Sequence, residues 1–255
     1  MAECIYCGAE LAGQQEVCRE CWLAEYSELN RPAKAPSFGN RVRSIVTAAP
    51  ATSLLIATNC FVFMLMVLGS KALEPSTSQL IHFGGSYLPL TLQGQWWRLL
   101  TAMFMHAGPA HLIFNMAALA QLGSIAEIGV GRRAFLITYF ASGLSCSLSS
   151  EVWHSTTVSV GASGAIFGAV GLLIPLLIYR KLTVKVKRRV LSISTVLGFT
   201  VYNLVVGAIT PEIDNAGHLG GFAFGLAAGL MLAYRIAPQV VEFTRNGSIR
   251  RYAAR

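Results

Sequence analysis

A serine and a histidine stand near the start of two separate hydrophobic segments of this 255-residue chain. Ser163 lies in the sequence GASGAIFG, and His218 lies in NAGHLGGFAFG. A serine hydroxyl becomes a nucleophile when an adjacent imidazole accepts its proton, and the resulting chemistry is acyl transfer. Each residue alone has a simpler interpretation, as a small polar residue of helix packing or as an interfacial histidine. Together they predict a nucleophile and its base, provided that the fold brings them to one depth.

The composition indicates a membrane protein. Hydrophobic residues make up 54% of the chain and charged residues 13%, and the mean hydropathy is +0.54. Several apolar stretches approach the roughly 20 residues that a spanning helix needs. The sequence therefore predicts an all-α membrane protein with six spans, at residues 49–68, 111–128, 134–152, 161–179, 190–209 and 216–236.

The positive charges predict the orientation of these spans. Of the 20 Lys and Arg residues, 18 lie in, or at the edge of, the alternate connecting segments that include both termini. The positive-inside rule then places both termini in the cytoplasm. The net charge of +8 is explained by topology and by contact with the lipid bilayer, so we predict no nucleic-acid partner.

This topology brings four polar side chains to one level. The second, fourth and sixth spans all run from the outer to the inner face, and they begin near His111 and Asn115, Ser163, and His218. By the 1.5 Å rise per residue, all four residues lie within about two helical turns of the outer boundary. Polar residues at this depth would line a hydrated cavity, where ionisable groups are tolerated inside a membrane.

Glycines along the fourth and sixth spans predict close helix packing. The sixth span has a glycine at every fourth position from residue 217 to residue 229, and the fourth span has Gly164, Gly168 and Gly171. Small residues at this spacing let two helix backbones approach closely. Such an approach would bring the Ser163 hydroxyl to hydrogen-bond distance from His218.

Several motifs together resemble those of the rhomboid family of intramembrane serine proteases, over about residues 49–236. They are Trp97-Arg98 in the first long loop, HAGPAHLIFN with His106, His111 and Asn115, Glu127 followed by Gly131-Arg132, GASG with Ser163, and GHLGG with His218. The resemblance implies a six-helix bundle that cleaves single-pass membrane protein substrates within the lipid bilayer. It also implies that catalysis needs no cofactor, and we expect the chain in a bacterial inner membrane.

The resemblance assigns roles to particular residues. Ser163 is similar to the family's nucleophile and His218 to its general base, without a third acid. The side chains of His111 and Asn115, with the backbone N–H of Ser163, would hold the oxyanion. His106 is similar to a histidine with a structural role.

Two further positions qualify this assignment. Where the family usually has a tyrosine beneath the catalytic histidine, this chain has Phe167, so we expect altered tuning and retained activity. Asp214 lies four residues before His218, and we expect it to be a helix N-terminal charge outside the catalytic set. The alternative function is that of a catalytically inactive rhomboid-like binding or chaperone protein, although such relatives have lost the Ser or the His.

The N-terminal arm carries two CxxC pairs, separated by ten residues, in a segment too short to form a hydrophobic core. Reduced cytoplasmic thiols in this pattern favour a structural zinc site, with a redox-active pair as the alternative. The four ligands would be Cys4, Cys7, Cys18 and Cys21. The pattern leaves three roles open for this domain: binding a protein partner, sensing a signal, or only anchoring the arm.

These patterns divide the chain into four parts. We predict a zinc-ribbon-like cytoplasmic domain at 1–29, a linker at 30–48 that is flexible over residues 30–40, the membrane domain at 49–236, and a basic cytoplasmic tail at 237–255. The tail is expected to be disordered or associated with lipid.

Overall fold

The computed structural model describes residues 2–4, 7, 9–11, 18–21, 38–186, 189–210, 213–244 and 249–253. The chain divides into two compact units, Met1–Pro36 and Ser37–Arg255. In the first unit, strand β1 (Ala2–Glu3) pairs antiparallel with β2 (Glu10–Leu11). The predicted linker lies outside the described residues as far as residue 37, and from Phe38 onward it is helical.

Helices make up most of the second unit. In chain order they are α1 (Phe38–Ala48), α2 (Pro50–Ser70), α3 (Thr77–Phe83), α4 (Leu88–Leu92), α5 (Arg98–Thr101), α6 (Pro109–Ala118), α7 (Ser124–Val130), α8 (Arg132–Trp153), α9 (Ser163–Ile178), α10 (Ile193–Ile209) and α11 (Asn215–Arg235). A π-helical turn, Leu119–Gly123, joins α6 to α7. The two helices therefore form one continuous rod.

Local sequence signals explain where these helices begin. Pro50 and Pro109 occupy the first turns of α2 and α6, where the missing N–H of proline costs no hydrogen bond. Ser192 and Asp214 precede α10 and α11, and their side chains accept hydrogen bonds from backbone N–H groups of the first turn. These side chains satisfy N–H groups that have no partner within the helix.

Helix α9 forms the centre of the bundle. Every residue from Gly164 to Leu176 is buried, and the helix packs against α8, α10 and α11. An almost wholly apolar helix of this kind is stable where apolar neighbours or lipid, rather than water, cover its faces. The chain thus places Ser163 at the end of its most enclosed helix.

The structure confirms the predicted fold class of a helical membrane bundle. By length and composition, three of the helices in the described part of the chain are able to cross a membrane: Pro50–Ser70, Pro109–Val130 and Asn215–Arg235. The apolar helices α9 and α10 are shorter, and α8 coincides with the predicted third span. The count of six spans remains a prediction.

A four-stranded sheet lies at the end of the bundle where α9 terminates. Its strands are β3 (Leu182–Val186), β4 (Arg189–Val190), β5 (Gln239–Phe243) and β6 (Ile249–Ala253), in the order β4-β3-β5-β6. The β3–β5 pair is parallel and the others are antiparallel. Leu182, Val184 and Val241 join the main hydrophobic core. The expectation of disorder was therefore wrong for residues 239–243 and 249–253, and association of the tail with lipid stays a prediction.

A buried carboxylate connects α2 to α7. Glu127, which is 3% exposed, accepts hydrogen bonds from the N–H groups of Ala51 (3.0 Å) and Thr52 (2.7 Å) and from the Thr52 hydroxyl (2.8 Å). Arg132 lies 3.7 Å from the same carboxylate. The negative charge is thus placed at the positive end of α2, where it is favoured.

Candidate active site

The structure brings Ser163 and His218 into direct contact. Ser163 is the first residue of α9, and His218 lies in the first turn of α11. The Oγ atom of Ser163 is 2.8 Å from Nε2 of His218. His218 is 7% exposed, whereas Ser163 is half-buried. A half-buried hydroxyl bonded to a buried imidazole is the arrangement that serine activation needs.

The glycine-rich faces of α9 and α11 make this contact possible. A Cβ atom added to Gly221 would collide with the backbone carbonyl of Gly164, and one added to Gly225 would collide with that of Gly168. The two backbones therefore touch directly at two points that are about one helical turn apart. The short Ser163 and His218 side chains span the remaining gap because no larger side chain separates their helices.

The aromatic ring of Phe167 lies parallel to the His218 imidazole. The ring centroids are 4.4 Å apart and the planes differ by 9°. Phe167 follows Ser163 by one turn of α9, so the residue that supports the imidazole comes from the helix that carries the hydroxyl. Packing on this face limits rotation of the His218 side chain.

His111 lies on the other side of Ser163, in the first turns of α6. Its Nδ1 accepts a hydrogen bond from the Ala107 N–H at 3.4 Å, which assigns the ring proton to Nε2. A Cβ atom on Gly161 would lie 2.8 Å from this Nε2 and 3.7 Å from the Ser163 Oγ. Gly161 has φ +124°, which other residues rarely adopt. The space above Gly161 is thus bordered by a serine hydroxyl and an imidazole N–H.

Asn115 and His106 lie close to His111. Asn115 is buried one turn further along α6, and its Nδ2 donates to the His111 carbonyl at 2.9 Å. The amide carries a second hydrogen. The His106 ring is fully buried and packs edge-on against the His111 ring, with centroids 5.0 Å apart. This contact fixes the orientation of the His111 ring.

A second set of polar contacts includes Ser159, four residues before Ser163, and was not predicted. Ser86 forms a backbone bridge with Ser159, with both N–H···O distances at 3.0 Å. Glu151, which is 3% exposed, accepts hydrogen bonds from the hydroxyls of Ser86 and Thr91, both at 2.7 Å. A carboxylate inside an apolar predicted span was the signal that could have identified Glu151.

The four N-terminal cysteines form a cluster in the first unit. Their sulfur atoms all lie within 4.8 Å of one another, and the Sγ atoms of Cys7 and Cys18 are 3.7 Å apart. Tetrahedral zinc with Zn–S bonds of about 2.3 Å requires sulfurs about 3.7 Å apart. Hydrogen bonding to Cys18 and the other nearby thiols raises the pKa of Cys21, and a bound dication would reverse this shift. The cluster fits a four-coordinate metal ion.

Comparisons with known proteins agree with this architecture. Residues 93–235 match the family model described as the Rhomboid domain. The chain is 36% identical over 181 residues to Rhomboid protease GluP of Bacillus subtilis (strain 168), covering 71% of this chain and 34% of the relative. It is 30% identical over 224 residues to Rhomboid protease AarA of Providencia stuartii, covering 79% and 78%. It is also 35% identical over 158 residues to RHOMBOID-like protein 1 of Arabidopsis thaliana, covering 62% and 39%.

These matches, with a helical membrane bundle, define the class of protein. The chain belongs to the rhomboid family of intramembrane serine proteases. It spans about a third of the length of the Bacillus relative and more than three quarters of the Providencia relative.

Proposed function

We propose that this chain hydrolyses a peptide bond in or near the transmembrane segment of membrane protein substrates, with Ser163 as nucleophile and His218 as general base. The observation that carries the proposal is the 2.8 Å contact between Ser163 Oγ and His218 Nε2. Membership of a family of intramembrane serine proteases supports it.

The reaction follows from the chemistry of these two groups. As Oγ of Ser163 attacks the substrate carbonyl carbon, Nε2 of His218 accepts the hydroxyl proton. The imidazolium then donates that proton to the leaving amine, and an acyl-enzyme remains. A water molecule, deprotonated by His218, hydrolyses this ester and restores Ser163.

Asp214 is not assigned as a third catalytic residue beside Ser163 and His218. Its carboxylate oxygens accept hydrogen bonds from the Gly217 N–H and the Ser159 hydroxyl, both at 2.8 Å. Within the described part of the chain, the buried Nδ1 of His218 has no hydrogen-bond partner. Two catalytic residues therefore account for the proton transfers.

Three donors are available for the oxyanion of the tetrahedral intermediate. They are the Nε2–H of His111, the amide of Asn115, and the backbone N–H of Ser163, which as the first residue of α9 has no acceptor within the helix. A preorganised donor at this position typically contributes about 3 to 4 kcal/mol to lowering the barrier. The position of His111 Nε2 beside Gly161 supports its part in this role.

The proposed setting is an active site near the outer face of a bacterial inner membrane, with both termini in the cytoplasm. The distribution of Lys and Arg supports this orientation. Water would then reach Ser163 from the outer side, where the sequence predicts a hydrated cavity lined by polar residues.

Cleavage of a defined substrate tests the proposal. The purified chain in liposomes is given two tagged single-pass proteins, one with proline near the outer end of its transmembrane helix and one with leucine there. We expect cleavage of both, faster for the proline variant, because proline removes a helical hydrogen bond and exposes the backbone. Absence of cleavage across a panel of such substrates would contradict the proposed activity.

We also propose that the N-terminal domain, residues 1–29, holds one structural zinc ion through Cys4, Cys7, Cys18 and Cys21. The sulfur spacing of the cluster supports this assignment. A small domain with little hydrophobic core gains most of its folding free energy from such a metal. The folded arm would provide a surface for a protein partner.

Metal analysis of the purified full chain tests the zinc site. We expect about one zinc ion per chain, and nearly none after the double substitution of Cys7 and Cys21 by serine, because two ligands are lost. Cys60→Ser in α2 is the matched control and should leave the zinc content unchanged. Equal zinc content in all three proteins, or none in the native chain after zinc reconstitution, would contradict the assignment.

A further inference from the structure

Two contacts join the region around the start of α9 to the region around the start of α11, and the two residues of each contact are 55 positions apart in the chain. Ser163 Oγ lies 2.8 Å from His218 Nε2, and Ser159 Oγ donates to Asp214 Oδ2, also at 2.8 Å. Each residue of the second pair precedes its counterpart by four positions. A second contact, Ser159–Asp214, therefore lies four residues before the Ser163–His218 contact in both segments.

Asp214 connects this companion contact to the base through three hydrogen bonds. Its Oδ2 accepts from Ser159, and its Oδ1 accepts from the Gly217 N–H at 2.8 Å. Its backbone carbonyl accepts from the His218 N–H at 3.0 Å. A shift of Asp214 relative to Ser159 would therefore move the backbone of His218 as well.

Ser159 is itself held in place by the loop between α3 and α4, which contains Ser86. Two backbone hydrogen bonds pair it with Ser86, and the Ser86 hydroxyl donates to the buried carboxylate of Glu151 at 2.7 Å. The Ser86 end of this bridge is thus anchored to a buried carboxylate. Ser159 provides a fixed reference point, four residues before the nucleophile.

From this geometry we infer that Asp214 is a positioning residue for His218, acting through Ser159. The inference rests on the proposed function. The proton transfer requires Oγ and Nε2 to stay near 2.8 Å, and a displacement of about 1 Å can cost about 100-fold in rate. Asp214 holds the first turn of α11 against the loop segment that leads to Ser163. Helix capping alone would stabilise α11 without setting this distance.

The test compares kcat and KM of reconstituted variants with a single-pass substrate. We expect Asp214→Ala to lower kcat about 10- to 100-fold with KM within about threefold. Asp214→Asn should stay within about threefold of the native kcat, since its amide oxygen still caps Gly217 and its NH₂ donates to Ser159. Ser159→Ala, which leaves the cap intact, should lower kcat in the same direction.

Ser192→Ala is the matched control, because it removes the capping hydrogen bond to the Thr195 N–H at the start of α10. Ser192→Ala should lower the unfolding temperature about as much as Asp214→Ala does, while its kcat stays near the native value. A kcat in Asp214→Ala that matches the native chain or Ser192→Ala overturns the inference and leaves the proposed function intact. If Asp214→Ala does not fold, a native kcat in Ser159→Ala overturns it. An inactive native chain overturns the proposed function and, with it, the inference.

Discussion

Replacement of Ser163 by alanine is expected to lower substrate cleavage by at least about 10⁴-fold, to the background rate, because the attacking hydroxyl is removed. His218→Ala should cause a loss of similar size, since the serine would keep its proton. Because Ser163 and His218 act as one unit, the double alanine variant should cleave no more slowly than either single variant. The measurement is the initial rate of cleavage in liposomes.

Matched controls separate this effect from general damage. Ser53→Ala removes a hydroxyl that donates to the Ala49 carbonyl in α2, and His82→Ala removes an exposed imidazole from α3. Both variants should cleave at close to the native rate. A fluorophosphonate probe should label the native chain and both controls, but not Ser163→Ala. Cleavage that persists in Ser163→Ala would show that the assigned nucleophile is wrong.

Gly225→Leu is expected to destabilise the bundle by about 3 kcal/mol or more, at the upper end of overpacking effects. The new Cβ atom would collide with the backbone carbonyl of Gly168, and a backbone atom inside a helix cannot rotate away as a side chain can. Separation of α9 from α11 would also pull His218 away from Ser163. Cleavage should therefore be lost together with stability.

Gly198→Ala is the matched control for this substitution. Gly198 lies in α10, and nothing is within 4 Å of the position that its Cβ would occupy. Alanine there should be neutral or stabilising by about 1 kcal/mol, in line with helix propensity. Denaturant or thermal unfolding in detergent measures both variants. Native-like stability in Gly225→Leu would contradict the close backbone contact of α9 with α11.

The helices could be predicted from the sequence because their signals are local. The spans predicted at 161–179 and 216–236 correspond to Ser163–Ile178 and Asn215–Arg235, since a long apolar run marks each helix. The β3–β5 pair could not be predicted in this way. It joins residues far apart in sequence, and its strands are short and next to basic residues typical of a flexible tail.

In the candidate site, too, features with local sequence signals could be predicted and contacts between distant residues could not. Ser163, His218 and the glycines between their helices lie in recognisable motifs, so their contact could be anticipated. The Ser86–Glu151 and Ser159–Asp214 hydrogen bonds join residues that are 65 and 55 positions apart in the chain, and no local sequence pattern predicts such pairings. Sequence reasoning therefore predicts the reacting groups better than the residues that hold them in place.

The parallel stacking of Phe167 on His218 has an electrostatic consequence for the proposed reaction. An imidazolium centred 4.4 Å from the face of an aromatic ring gains a cation–π attraction, because the ring face carries partial negative charge. In the proposed reaction, His218 becomes positively charged when it accepts a proton from Ser163 or from the attacking water. Phe167 would thus favour the charged intermediate over the resting state, without adding another ionisable group to the interior of the membrane.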